Sequence, residues 1–321
     1  MRQKEFEQYY QQTWQRFDLL CSQLEERQTI AKDQDFSADY RVICHNLSLA
    51  RERGYSPILV EKLQRLSARG HQLIYQKQHS FFQRTVRFIS KGFPRLVRQH
   101  ARLFWITTAI FYLPAILVYF LVLMSPDLVY SLMEPTSVAD LEEMYNPANK
   151  RITENRDIDS DFLMWGFYVW NNVGIDMKTF AGGILAGIGS LFIVLFNGVY
   201  FGAVVGHLTN VGFEQPLFKF VIAHGAPELT GIVISGMAGF KIGWALIAPG
   251  NYSRKDALYL QSKIAIRLLF GAMFLTFIAA PIEAFWSSIG SLSATIKYSV
   301  GALCWLLVAA YLLLGGRHGS Q

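Results

Sequence analysis

The sequence predicts an all-α fold: a polytopic transmembrane helix bundle preceded by a cytosolic helical domain. Three observations predict it. Of 321 residues, 52% are hydrophobic and only 17% are charged, against about 25% charged in soluble domains. Long charge-free runs cover 103–126, 179–213 and 298–316, and two more, around 229–253 and 268–296, are interrupted by single charges. Lysine and arginine are concentrated in residues 1–100, ahead of the first run.

Residues 1–79 predict a bundle of three amphipathic helices. Phe6, Tyr10, Phe17, Cys21 and Leu24 recur at three- and four-residue multiples and mark one apolar face. A second helix is expected to start near Ser37 as its N-cap, and a third at Ser56-Pro57, with proline at the first helical position. Tyr40, Arg41, His71 and Tyr75 read as packing or solvated residues. Cys21, Cys44 and Cys304 have no CxxC spacing and read as free, buried thiols.

Residues 80–102 form a basic membrane-proximal segment. Arg84, Arg87, Lys91, Arg95, Arg98 and Arg102 recur every three or four residues with no acid between them. On a helix they make one stripe suited to an anionic lipid surface. Gly92 and Pro94 are expected to break or kink it. Its attachment to a span argues against nucleic acid as the partner.

The transmembrane domain, 103–316, offers about five spans, near 103–124, 180–207, 228–248, 265–287 and 298–315, each close to the 20 residues a bilayer core requires. "MRQKEFEQYYQQTW" lacks an apolar signal region, so the first span is expected to direct insertion. The basic cluster before it places the N-terminus in the cytosol. The connection 127–161, with nine acidic residues against Lys150, Arg151 and Arg156, then faces outward. Pro126, Pro135 and Pro147 argue against a long helix there. "FLMWGFYVWNNVGIDMK" (162–178) is interrupted by Asn171, Asn172, Asp176 and Lys178, and is expected to lie in the plane of the interface. Five simple crossings would leave Arg254, Lys255 and the C-terminus outside, whereas the positive-inside count prefers them inside. A sixth partial crossing, or a re-entrant hairpin between 199 and 228, would reconcile the two.

Gly183, Gly187, Gly198, Gly202, Gly206, Gly239 and Gly243 stand at small-xxx-small spacings and are read as helix-packing positions. Without a Gly-Lys-Ser/Thr ending, "GGILAGIGS" is no phosphate loop. Asn197, His224, Glu228, Lys241 and Glu283 lie within the apolar runs and must find polar partners. His224 and Glu228, four residues apart, share a helix face, with Pro227 suggesting a helix start near Ala226. One His-xxx-Glu pair falls short of three metal ligands, so no metal is expected; no cofactor or catalytic residue is assigned, and an enzyme ranks last among the function classes.

The motifs "FAGGILAGIGSLFIVLFNGVYFGA", "AHGAPELTGIVISGMAGFKIGWALIAPG" and "IAAPIEAFW" resemble the stage II sporulation protein M family, also called the DUF95 family. The resemblance covers roughly residues 100–315, and "YRVICHNLSLARERGYSP" resembles the cytosolic region of its longer, non-sporulating bacterial members. It rests on Asn171-Asn172, Asn197-Gly198, His224-Gly225 with Glu228, a basic residue at Lys241 (more usually arginine), and Glu283. It implies a bacterial inner-membrane protein working as an assembly partner of membrane or envelope proteins, as the namesake works with cell-wall hydrolases in spore formers. A MoxR-type ATPase or a von Willebrand A-domain protein would be such a partner, and a homo-oligomer stays open. The function expected is therefore a non-enzymatic assembly or scaffold role. The alternative is a transporter or channel whose polar path runs through His224, Glu228 and Glu283.

Overall fold

The computed structural model describes residues 1–25, 35–75, 81–148 and 158–317, with the side chains at 74, 75, 158 and 159 excluded. Tyr75's side chain and the stretch holding Lys150, Arg151 and Arg156 therefore lie outside the described residues. Every regular element among the described residues is helical, and the chain divides into two compact units, residues 1–84 and 85–321.

The first unit contains α1 (Gln3–Glu25), α2 (Phe36–Glu52) and α3 (Pro57–Tyr75). Its core joins Phe6, Trp14, Phe17 and Cys21 of α1 to Ile43 and Ala50 of α2 and to Leu59, Leu63 and Leu66 of α3. Asp35, rather than Ser37, caps α2 by accepting from the Ala38 amide at 3.0 Å. Arg69 bridges to α1 through Glu25 at 2.9 Å and through Asp18. Only Cys21 of the three cysteines is buried; Cys44 and Cys304 are half-buried.

The basic segment comprises α4 (Phe81–Arg87), a π-helical turn Phe88–Gly92, and α5 (Phe93–Gln99). The helical run continues through Gly92 and Pro94, with the π-helical turn as a local irregularity just before them. Pro94 sits in the first turn of α5, where its missing N–H costs nothing. Phe93, Leu96 and Val97 are buried against later helices, whereas Arg84, Arg87, Lys91, Arg95 and Arg102 are exposed. Arg98 instead donates to the carbonyls of Leu312 and Gly315, each at 2.5 Å.

The remainder is built from α6 (Ala101–Met124), the short α7 (Val129–Leu132) and α8 (Pro135–Tyr145), then α9 (Ile158–Ala181), α10 (Ile188–Asn210), α11 (Glu214–Ile247), α12 (Arg254–Pro281) and α13 (Ala294–Leu314). Five of these, α6 and α10 to α13 (with α12 extended to Ser287), are long and apolar enough to cross a membrane. The second span begins later than expected, because Gly182–Ile184 forms a 3-10 turn and Gly187, at φ +84°, redirects the chain into α10. The third begins earlier. α11 runs through Pro227 without a break, and Thr230 Oγ1 donates to the Ala226 carbonyl at 2.7 Å beside the proline.

Glycine contacts fix the relative directions. Gly198, Gly202 and Gly206 of α10 meet the carbonyls of Phe111, Ala115 and Tyr119 of α6, so these two helices run parallel. Gly183 meets Gly239 and Gly187 meets Gly243, which places the α9–α10 turn on the latter part of α11. A parallel α6–α10 pair requires the chain to return between them, and α9 makes that return. With 24 residues it spans about 36 Å. α9 thus runs through the bundle antiparallel to α10, and the directions of α6 and of α9 to α13 alternate. Both the basic segment and the end of α13, where Gly315 meets Pro94, consequently lie at one end of the bundle, with Arg254 and Lys255.

Candidate functional site

One face of α11 organises the interior. His224, Glu228, Gly231, Ser235 and Gly239 follow one another at spacings of 4, 3, 4 and 4, a single stripe on a helix. Opposite stand Asn172, Asp176 and Thr179 of α9, themselves spaced 4 and 3 apart and all buried. Thr276 of α12 and Glu283 and Ser287 beyond it complete the surroundings. Pro281 cannot donate a backbone hydrogen bond, and Ile282–Ser287 continue as a π-helical turn. Such wider turns often occur at functional sites, and this one carries both Glu283 and Ser287.

His224, 4% exposed, is held through Nδ1 by the Ser287 hydroxyl at 2.9 Å. A ring nitrogen of His224 and one carboxylate oxygen each from Glu228 and Glu283 all lie within 4.8 Å of one another. Asn172 donates to Glu283 Oε2 at 3.4 Å and accepts from Asn171 at 2.8 Å. Glu228 Oε2 is fully enclosed and has no hydrogen-bond partner among the described residues. Further along the stripe, Asp176 accepts from Ser235 at 2.8 Å through Oδ1 and from Thr276 at 2.7 Å through Oδ2.

A pocket of about 220 Å³ opens at the end of the bundle away from the basic segment. Tyr145, Tyr168, Lys219, Phe220, Ser287 and Lys297 contribute to its wall. Ser287 and Phe220 also touch His224, the latter edge-on with ring centroids 5.2 Å apart. Lys297 donates to the carbonyls of Trp286 and Ser287 at 2.7 and 2.9 Å, at the end of the π-helical turn.

Of the polar residues within the apolar runs, His224, Glu228 and Glu283 come together, with His224 and Glu228 well inside α11 rather than at a helix start. Asn197 lies apart, because its amide donates to the Ile193 carbonyl of its own helix at 2.8 Å. Lys241 also lies apart, donating to Gln261 at 3.3 Å. Asn172 belongs to the interior, whereas Asn171 is exposed. Asp176, Ser235, Thr276 and Ser287 were not anticipated. The spacing of Asn172, Asp176 and Thr179 was the available signal, since it puts three polar side chains on one helix face.

The profile of the stage II sporulation protein M family matches residues 104–288. The chain belongs to this family. Asn172, Asp176, His224, Glu228, Ser235, Thr276, Glu283 and Ser287 all fall within the matched region of this stage II sporulation protein M family member. Residues 4–76 match a domain of unknown function, DUF8413, which covers most of the first unit. No curated protein and no solved structure matches the chain.

Proposed function

We propose that this family member is a transport protein that passes a small cation or proton along the polar face of α11. The observation carrying this reading is the file of polar side chains from the pocket wall at Ser287, through His224, Glu228 and Glu283, to Asp176. Ionisable groups in a bilayer core cost several kcal/mol and commonly mark ion pathways. A purely adhesive network would satisfy its carboxylates, yet Glu228 Oε2 is enclosed without a donor.

The positive-inside rule supports a cytosolic basic end in a bacterial inner membrane. Arg84, Arg87, Lys91, Arg95 and Arg102 then present their exposed charges to anionic headgroups, and the pocket faces outward. Ion flux in proteoliposomes tests the transport reading. Wild-type protein should raise flux above protein-free vesicles, and Glu228→Gln should abolish it while the protein still reconstitutes. Wild-type flux equal to that of empty vesicles would overturn it.

The assembly reading is favoured by a separate observation. The first unit has its own core and lies outside the family match, as an attached partner-binding module would. A MoxR-type ATPase or a von Willebrand A-domain protein is the partner to test, by co-purification with and without residues 1–79. Recovery independent of that unit would count against it.

A further inference from the structure

We infer that His224, Glu228 and Glu283 form a binding site for one divalent first-row transition cation, of the Mn²⁺ and Zn²⁺ class. The inference names the ion for the site just described and rests on the transport reading for what the ion does there.

The donor set comes first. One imidazole nitrogen and two carboxylate oxygens, all within 4.8 Å of one another, supply the three protein ligands of an open metal site. Bonds of about 2.0–2.2 Å in a tetrahedral arrangement put ligand atoms roughly 3.4 Å apart. Closing the present separations takes shifts of an ångström or so. Two carboxylates balance a double positive charge. Mg²⁺ and Ca²⁺ prefer larger, all-oxygen shells, and thiolate-seeking ions find no sulfur in this set, whereas mixed imidazole–carboxylate ligation suits Mn²⁺, Fe²⁺ and Zn²⁺.

The second line is independent of the donor count. Glu228 Oε2 is buried with no hydrogen-bond partner among the described residues, an arrangement that costs free energy unless a ligand meets it. The surroundings also fix the donors. Ser287 holds the His224 ring at 2.9 Å, and Asn172 contacts Glu283 at 3.4 Å, as the outer partners of metal ligands do. Finally, Ser287 lies both in the pocket wall and against His224, so an ion has a route in from the end away from the basic segment.

The test uses the full chain in lipid nanodiscs, with Mn²⁺ and Zn²⁺ as probes in equilibrium dialysis and thermal melting. One ion per chain should bind and raise the melting temperature. Glu228→Gln and Glu283→Gln should each weaken binding more than about 100-fold, and Ser287→Ala about 10- to 100-fold. If one carboxylate variant fails to fold, the other, together with the wild-type stoichiometry, still decides. Neither ion binding to folded wild-type protein at millimolar concentration would overturn the site. So would binding unchanged in the folded variants, which would mark a surface ion only. Proton flux without metal binding would overturn the metal site and leave the transport reading intact. Stoichiometric, Glu228-dependent binding without any flux would do the reverse.

Discussion

Thr276 donates its hydroxyl to Asp176 Oδ2 at 2.7 Å and thereby ties α12 to α9. Ser235 of α11 donates to the other carboxylate oxygen, so one side chain of α9 joins three helices. Interhelical hydrogen bonds in membranes average about 0.6 kcal/mol and reach about 1.7. Asp176→Ala removes two acceptors and leaves the Ser235 hydroxyl stranded, while Thr276 keeps the Ala272 carbonyl at 3.2 Å, so a loss of about 1–2 kcal/mol is expected. Asp176→Asn keeps one acceptor and should fall between. Thermal melts in detergent read the order wild type, Asn, Ala, and an Ala variant as stable as wild type would show these bonds to be incidental.

The parallel α6–α10 contact makes a sharper demand. A Cβ on Gly202 would collide with the Ala115 carbonyl, and one on Gly198 with that of Phe111. Neither backbone can yield without separating the helices. Gly202→Leu should therefore cost several kcal/mol, in the range of overpacking or more, and cut the yield of folded protein sharply. Gly212→Ala, where the added Cβ meets nothing within 4 Å but φ is +79°, isolates backbone strain from packing and should cost only about 1 kcal/mol. Equal effects of the two changes would argue against the close approach.

Six alternating helices predict a labelling pattern. Single cysteines at Arg95, Ser253 and Arg317 should react with an impermeant reagent from one side of oriented vesicles, and one at Glu134 from the other. All four residues are exposed. If Arg317→Cys instead labels with Glu134→Cys, α9 does not cross.

The five apolar spans were legible because an uninterrupted run of about 20 apolar residues has few other fates. α9 was not. Asn171, Asn172, Asp176 and Lys178 lower its hydropathy, and only the folded arrangement supplies Glu283, Ser235 and Thr276 as partners. The same limit misplaced Asn197 and Lys241. Each needed a partner, but a linear pattern does not say whether it lies on another helix, on the same helix, or at Gln261. For His224 and Glu228 the shared face followed from spacing alone. Their third companion was recognised as polar but not as a potential ligand, because the approach of α12 to α11 fixes that distance.

Burial in the first unit pushes the Cys21 thiol up to about 11, with Arg69 opposing the shift. At pH 8 only about one Cys21 in a thousand is then thiolate, so native protein should leave Cys21 unalkylated until denaturant is added. The sign for stability follows. A raised thiol favours the folded state fully below its unfolded value of about 8.5, and this contribution is lost as pH rises towards 11. Cys21→Ala should therefore flatten the decline in stability of this unit between pH 9 and 11, followed by its own unfolding transition. Rapid modification of native Cys21 at pH 8 would contradict the burial.

Arg98 supplies the last prediction. Its guanidinium reaches two carbonyls at the end of α13, Leu312 and Gly315, at 2.5 Å each. Those oxygens lack intrahelical donors and carry the negative end of the helix dipole. The contact therefore closes the bundle at its basic end, joining the segment before α6 to the end of α13. Nearby burial and the positive charges of Arg317 and Arg95 lower the Arg98 pKa, but an arginine stays charged throughout the accessible range. Arg98→Ala should cost about 1–3 kcal/mol, the scale of lost hydrogen bonds to a charged group. Arg98→Lys should recover only part, since an ammonium keeps the charge but lacks the planar fork that reaches two acceptors. Hydrogen exchange at the end of α13 should quicken in the same order, Ala above Lys above wild type. Equal exchange in Ala and wild type would mean that Phe93, Leu96 and Val97 hold this end by packing alone.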